Sequence, residues 1–303
     1  MHMRRRTVWY SLGAAMLAFG LGACSTDSIT NALQGSVSTA EEQADIATAA
    51  GAAAAQNLDL MYDGADGAMG RIAMSAAPHF WLDVRSNGLR ASISPPASGN
   101  ECTYDADTGR HNCDPVDFGT GLVLTSSYAF FSAGQSQESF DPMTTDSINL
   151  DGLLQGTVSS ANDTANINRH LNVTVARNPQ WDQQRTWNGT ATDTSNATVV
   201  NNNATRAYAL KSATTIGNVV VAEPRGENPY PLSGAIISTI SGSRTREGNT
   251  TVSKDVAYTA VVTFNGTSVV PLDIGSSPDN LTGHFCVDLA QRKLAQVSGC
   301  RAQ

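Results

Sequence analysis

Cysteine and histidine are the side chains here best suited to nucleophilic, redox or metal chemistry, so their spacing is weighed first. Cys102, Cys113, Cys286 and Cys300 lie far from the fifth cysteine, Cys24, and none has the paired C-x-x-C spacing of a zinc site. His79, His111, His170 and His284 form no H-E-x-x-H or H-x-H pattern. His170 alternates with strand-forming residues on a polar face, which reads as a solvated histidine. His284 stands two residues before Cys286, the spacing of a thiol–imidazole pair, but a sulfur held in a disulfide is no nucleophile. There is no G-x-S-x-G elbow, no phosphate-binding P-loop and no G-x-G-x-x-G after a strand. Asp105-Ala106-Asp107-Thr108-Gly109 has the beginning of a calcium loop. It lacks a further ligand before the glycine and the glutamate six residues after it, so it reads as a β-turn. Glu41 and Glu42 read as a first-turn acidic pair at a helix N-terminus. The residues call for no catalytic group, no cofactor and no metal.

The segment ending at Cys24 carries the most specific signal. Arg4, Arg5 and Arg6 precede an apolar run from Val8 to Leu21, too short for a spanning helix and suited to a secretory signal. The run ends Leu21-Gly22-Ala23-Cys24. This resembles the lipobox of bacterial lipoproteins. The resemblance implies cleavage between Ala23 and Cys24, a diacylglyceryl thioether on Cys24 and an acylated new amino group. Ser25 stands where an Asp would favour retention in the inner membrane, so the resemblance implies the outer membrane. Several acyl chains anchor stably where a single chain does not. An ordinary secretory signal stopping near a cysteine is the alternative.

With residues 1–23 removed, three of the 19 basic residues leave and none of the 27 acidic ones, so the remainder carries a formal −11. This acidic balance argues against nucleic acid as a partner. In an exported chain four further cysteines read as two disulfides. Three connectivities are open. The short spacings favour Cys102–Cys113 and Cys286–Cys300, each closing a local loop.

The elements follow from period and turn chemistry. Residues 24–37 read as a flexible tether, and 38–303 as a β-rich envelope domain. Ser38 and Glu41 have the S-x-x-E spacing of a capping box. An alanine-rich helix is expected over about 39–60, with Gly64 beyond its end and Ile46, Ala50, Ala54, Leu58 and Met61 on one stripe. A second short element is expected before Pro78. From about residue 79 the period becomes two. Ile167, Leu171, Val173 and Val175 alternate with Asn168, His170, Asn172 and Thr174. Val252, Val256, Tyr258, Ala260, Val262 and Phe264 alternate in the same way. Further strands are expected at 121–131, 145–159, 205–222 and 232–244. Asn265-Gly266 predicts a tight hairpin, and Asn188-Gly189 a second turn or a bulge. The proline-rich stretch around Pro224, Pro229 and Pro231 reads as a surface loop. The Asn-x-Thr sites, among them Asn172, Asn188, Asn249 and Asn265, read as turn and edge-strand chemistry. The expected fold is mainly β: a large antiparallel meander, as a curved sheet, an open barrel or two layers, with the helix packed on it.

The order RTWNGT, NPYPLSGAI, VTFNGT and a terminal VDLAQRK hairpin is similar to a group of bacterial lipoproteins in which such segments recur. The similarity covers most of residues 119–297 and implies architecture without an activity. The expected function is therefore a lipid-anchored, non-enzymatic envelope lipoprotein that binds a partner or contributes to structure. One alternative is a carrier holding a lipid or small apolar ligand in a half-open β cavity. Another is a hydrolase whose site is assembled from distant residues. A transmembrane barrel also alternates with period two, but the chain is only 6% aromatic and shows no girdle pattern.

Overall fold

A computed structural model describes residues 39–70, 102–117, 121–159, 164–177, 183–201, 204–222, 229–247, 252–291, 293–295 and 300. Cys24, the cleavage position, the tether, Ser38, His79 and the element expected before Pro78 lie outside these residues. So does Asn249.

One helix precedes the strands. Helix α1 covers Thr39–Gly70. Its five-residue stripe of Ile46, Ala50, Ala54, Leu58 and Met61 is buried, together with Ala47 and Ala55. The helix runs ten residues past the expected end. Gly64 and Gly67 weaken a helix by about 1 kcal/mol each relative to alanine but do not by themselves stop one.

The strands are β1 (Cys102–Asp105), β2 (Arg110–Asp117), β3 (Leu122–Ser132), β4 (Gln135–Gln137), β5 (Ser147–Ser159), β6 (Thr164–Arg177) and β7 (Gln184–Asn201). They continue as β8 (Ala204–Ala222), β9 (Ser233–Glu247), β10 (Val252–Thr263), β11 (Val269–Ser277), β12 (Asn280–Asp288) and β13 (Lys293–Leu294). All belong to one antiparallel sheet of 13 strands in sequence order, with β4 paired to β3 off the main path. The sheet is not closed. It is a meander because each link is short enough for neighbouring strands only. Both edge strands, β1 and β13, are very short, which blunts the exposed backbone of an open sheet.

Register aligns the inward parity of strands β5 to β12 on one face. Leu150, Val173, Gly189, Ile216, Ile236, Val262, Leu272 and Phe285 are successive partners across eight strands. Helix α1 meets β5 and β6 as well as β10 to β13, so this face curves around it as a groove. Its small side chains allow close approach: a Cβ on Gly51 would stand 2.8 Å from Val287 Cγ2 and 3.7 Å from Leu272 Cδ2.

One irregularity keeps the long central strands in phase. Asn218 is the extra residue of β8 against both β7 and β9, at a φ of 48°. Asparagine tolerates this left-handed conformation, and the Asn218 amide donates to Asn188 Oδ1 at 2.8 Å. The extra residue shifts the parity of β8, so Ile216 and then Val219 and Val221 face the core. Asn188-Gly189 thus belongs to a bulge and not to a turn. On the other flank Gly234 takes a φ of 99°, where a Cβ would meet Asn218 O at 2.3 Å.

Three local expectations are corrected. The β10–β11 link is not a two-residue hairpin. Gly266 alone of the Asn265-Gly266 pair has positive φ, while Asn265 Oδ1 accepts from the Thr267 amide at 3.2 Å and its hydroxyl at 2.7 Å. The Gly266 amide is drawn to Pro231 O at 2.8 Å instead. Pro231 is buried under that link and not on a surface loop. Asn172 lies in the middle of an interior strand, paired on both sides, and not at an edge.

Candidate functional site

The groove carries a set of polar side chains at the end where α1 begins. Tyr208, Arg244 and Lys254 are cross-strand partners in one row of β8, β9 and β10. Tyr258 lies four residues along β10 from Lys254, on the same face. Above them α1 presents Glu42 and, three residues on, Asp45.

Glu42 is the centre of the group. Its side chain is 2% exposed and that of Arg244 is 5% exposed. Arg244 Nη1 donates to Glu42 Oε2. Tyr258 OH donates to Oε1 at 2.6 Å, and Lys254 Nζ lies 3.3 Å from Oε1. Next to this, Tyr208 OH donates to Asp45 Oδ2 at 2.7 Å. Gln43 adds a bond from Nε2 to Thr282 Oγ1 on β12 at 3.2 Å. The Tyr258 phenol is pushed well above its ordinary range. Burial is the largest cause, followed by its hydrogen bond to Glu42 and the negative charge there; Arg244 opposes them. Arg244 Nε is buried without a partner among the described residues.

This arrangement is suited to holding an element in place. The carboxylate is buried and its two oxygens are already engaged by Arg244, Lys254 and Tyr258. Burying an unpaired charge is expensive, so the helix settles where Glu42 meets its cations. The reading of Glu41-Glu42 as an ordinary first-turn pair is corrected for Glu42, which is buried and paired across the fold.

The remaining candidates are dispersed. Cys102 and Cys113 are register partners on β1 and β2 and are disulfide-bonded, as are Cys286 on β12 and Cys300. Cys286 therefore offers no thiol to His284, whose Nδ1 lies 2.7 Å from Asp273 Oδ1. His170 is 47% exposed with Nε2 at 3.0 Å from Asp151 Oδ2. It belongs to an outer ladder in which Asn172 Nδ2 donates to Asp151 at 2.8 Å and Arg110 Nη1 to Asn149 at 2.7 Å. His111 stacks on Tyr128 with ring centres 4.7 Å apart, and its Nε2 is 2.8 Å from Glu138 O.

Asp105 closes a turn. It accepts from the Thr108 hydroxyl at 2.9 Å and the Asp107 amide at 3.0 Å, and these bonds hold its carboxyl below the usual range. Among the described residues no group of three or more His, Cys, Asp or Glu is placed to share a metal ion. A second inward ion pair, Arg169 Nη2 to Asp193 Oδ2 at 3.2 Å, joins β6 and β7.

Sequence reasoning missed both ion pairs, although a signal for each was present. Glu42 is four residues before Ile46, on the buried stripe. Arg169, Arg244 and Lys254 each interrupt the apolar parity of their strands. A charge on a buried stripe asks for a partner elsewhere, and here the partners are more than 200 residues away in sequence for Glu42. Comparison with protein-family models, curated proteins and solved structures finds no match for this chain.

Two outcomes test the site. Glu42→Gln leaves Arg244 buried without its counter-charge, so docking of α1 weakens by about 3–5 kcal/mol, whereas joint replacement by E42M and R244M recovers most of the loss. The helical circular-dichroism signal followed through a urea titration checks this. For Tyr258, the folded state holds its phenolic proton more tightly than the unfolded chain, whose value is about 10. That stabilisation is complete below about pH 10 and is lost as pH rises from there toward the folded value. Stability measured from about pH 8 to pH 11 falls in the native protein and falls less in Tyr258→Phe.

Proposed function

We propose that this protein is an envelope lipoprotein, tied to the outer membrane by lipid on Cys24, whose β-rich domain is a non-enzymatic module for partner binding or envelope structure. The single observation that carries the choice of module over carrier is the occupied groove. A carrier of an apolar ligand needs a concave, open apolar cavity. The inner face of this sheet is instead packed with Ile46, Ala47, Ala50, Leu58 and Met61 of α1. The lipobox-like run before Cys24 supports the anchor. The absence of nucleophile and base spacing in the sequence favours a binding role over a hydrolase.

Native mass spectrometry of the protein extracted gently from its own membrane tests the proposal. The expected species begins at Cys24, carries acyl chains and holds no further ligand, and a Cys24→Ser variant keeps its leader and takes no lipid. An unmodified Cys24 overturns the anchor. A reproducible extra mass released on activation overturns the module in favour of the carrier.

A further inference from the structure

We propose that Cys102–Cys113 is a redox-active disulfide, open at the Cys102 sulfur to exchange with a dithiol reductant, and that Cys286–Cys300 is the structural disulfide of the pair.

Both bonds are formed, but they stand in different places. Cys102 and Cys113 are register partners on β1 and β2, and β1 is the outermost strand of the sheet. Both of these cysteines are only half-buried. Cys286 is 6% exposed. It lies within β12, with Pro271 of β11 as its register partner on one side and the Ala295 amide donating to its carbonyl at 2.8 Å on the other. Cys300 Sγ packs 3.5 Å from Phe285 O. Exposed disulfides are the labile ones, because a thiolate must reach a sulfur to open the bond.

The register also says which sulfur is reached. Exchange is a displacement in which the thiolate arrives behind the sulfur it takes, on the side away from the departing one. A bond across a register pair points from one strand to the next. Behind Cys113 stands β3, with Ser126 as its register partner. Behind Cys102 no strand of the described sheet follows. The open approach is therefore from the sheet edge onto Cys102 Sγ.

The substrate class is a dithiol, such as a C-x-x-C oxidoreductase of the envelope. Its first thiolate forms a bond to Cys102 Sγ while the Cys102–Cys113 bond breaks, and Cys113 leaves as a thiolate that takes a proton from water. The second thiolate of the dithiol then attacks its own sulfur in the mixed disulfide and releases Cys102 as a thiol. The dithiol has lost two electrons and two protons, and the cysteine pair has gained them.

The hairpin is built to survive this cycle. The two cysteines are 11 residues apart, so the bond closes a short loop and constrains the unfolded chain little. The opposite end of the hairpin has its own ties. Asp105 accepts from Asp107 and Thr108 across the turn. The Tyr104 and His111 rings lie 5.0 Å apart, and His111 stacks on Tyr128 of β3. Reduction loosens the Cys102 end of a four-residue edge strand and leaves the ladders from β3 onward in place.

Graded dithiothreitol on the native full-length protein tests the assignment, with thiols trapped by N-ethylmaleimide and mapped by peptide mass spectrometry. Cys102 and Cys113 become labelled at a dithiothreitol concentration at least about tenfold below that which labels Cys286 and Cys300. With glutathione in place of dithiothreitol, the trapped mixed disulfide maps to Cys102. Amide exchange after selective reduction rises in β1 and is unchanged in β5 to β10. Labelling of Cys24 without reductant reports on the lipid anchor alone, so the two readings fail separately. Opening of both pairs together, or of Cys286–Cys300 first, overturns the assignment. So does a Cys102–Cys113 bond that opens only in denaturant, and a mixed disulfide found on Cys113 overturns the approach from the sheet edge.

Discussion

A carboxylate taken out of water must be met by cations and donors, and Glu42 imposes that condition on the molecule. Its side chain lies on the buried stripe of α1, so the helix cannot seat itself until Arg244, Tyr258 and Lys254 reach Oε1 and Oε2. The apolar contacts along the rest of the helix, mostly alanine against branched side chains, are permissive in direction. The charge cluster is not. It fixes which end of α1 meets which end of the groove, in the way a buried polar group specifies register at some expense of stability.

The groove that receives the helix is a product of strand phase. An antiparallel meander of this length must curve continuously and keep its apolar parity on the inside through every strand. Asn218 shows how the longest strands manage it: one extra residue bends β8, and the bend is fixed by Asn188 from one neighbour and accommodated by Gly234 on the other. The apolar row then runs unbroken from Leu150 to Phe285. Without the curve, no strand set could meet α1 from both β5–β6 and β10–β13. The outer face needs no such phase, and there the polar residues satisfy one another in ladders such as Arg110–Asn149–Asn172–Asp151.

Much of this architecture was legible because it rests on short-range periodicity. The five-residue stripe of α1 and the alternation around Leu171 and Val256 follow from 3.6- and 2.0-residue repeats, which any window of sequence displays. The mainly β fold with a leading helix followed from them. The errors have one physical source, long-range context. A helix over about 39–60 with Gly64 beyond its end follows from glycine's frequency just past helix ends, but the helix continues through Gly64 to Gly70. Asn265-Gly266 has hairpin composition, yet the Gly266 amide is claimed by Pro231, 35 residues earlier, and the link opens. Glu42 has the local setting of a dipole-facing acid, and its partners lie on β9 and β10, which no local rule connects to residue 42. The parity of their strands marks Arg169, Arg244 and Lys254 as inward charges but does not name their partners.

Helix α1 lies in the groove with its first turns on β8–β10 and Gly51 against β11 and β12. Nuclear Overhauser spectroscopy on methyl-labelled protein tests this placement most directly. Cross-peaks are expected from the Gly51 α-protons to both Val287 methyl groups and to a Leu272 methyl, together with contacts between the Tyr258 ring and the Glu42 side chain. Their absence, with the Val287 and Leu272 methyl groups instead contacting water or another element, would contradict the placement of the helix and the role given to Glu42.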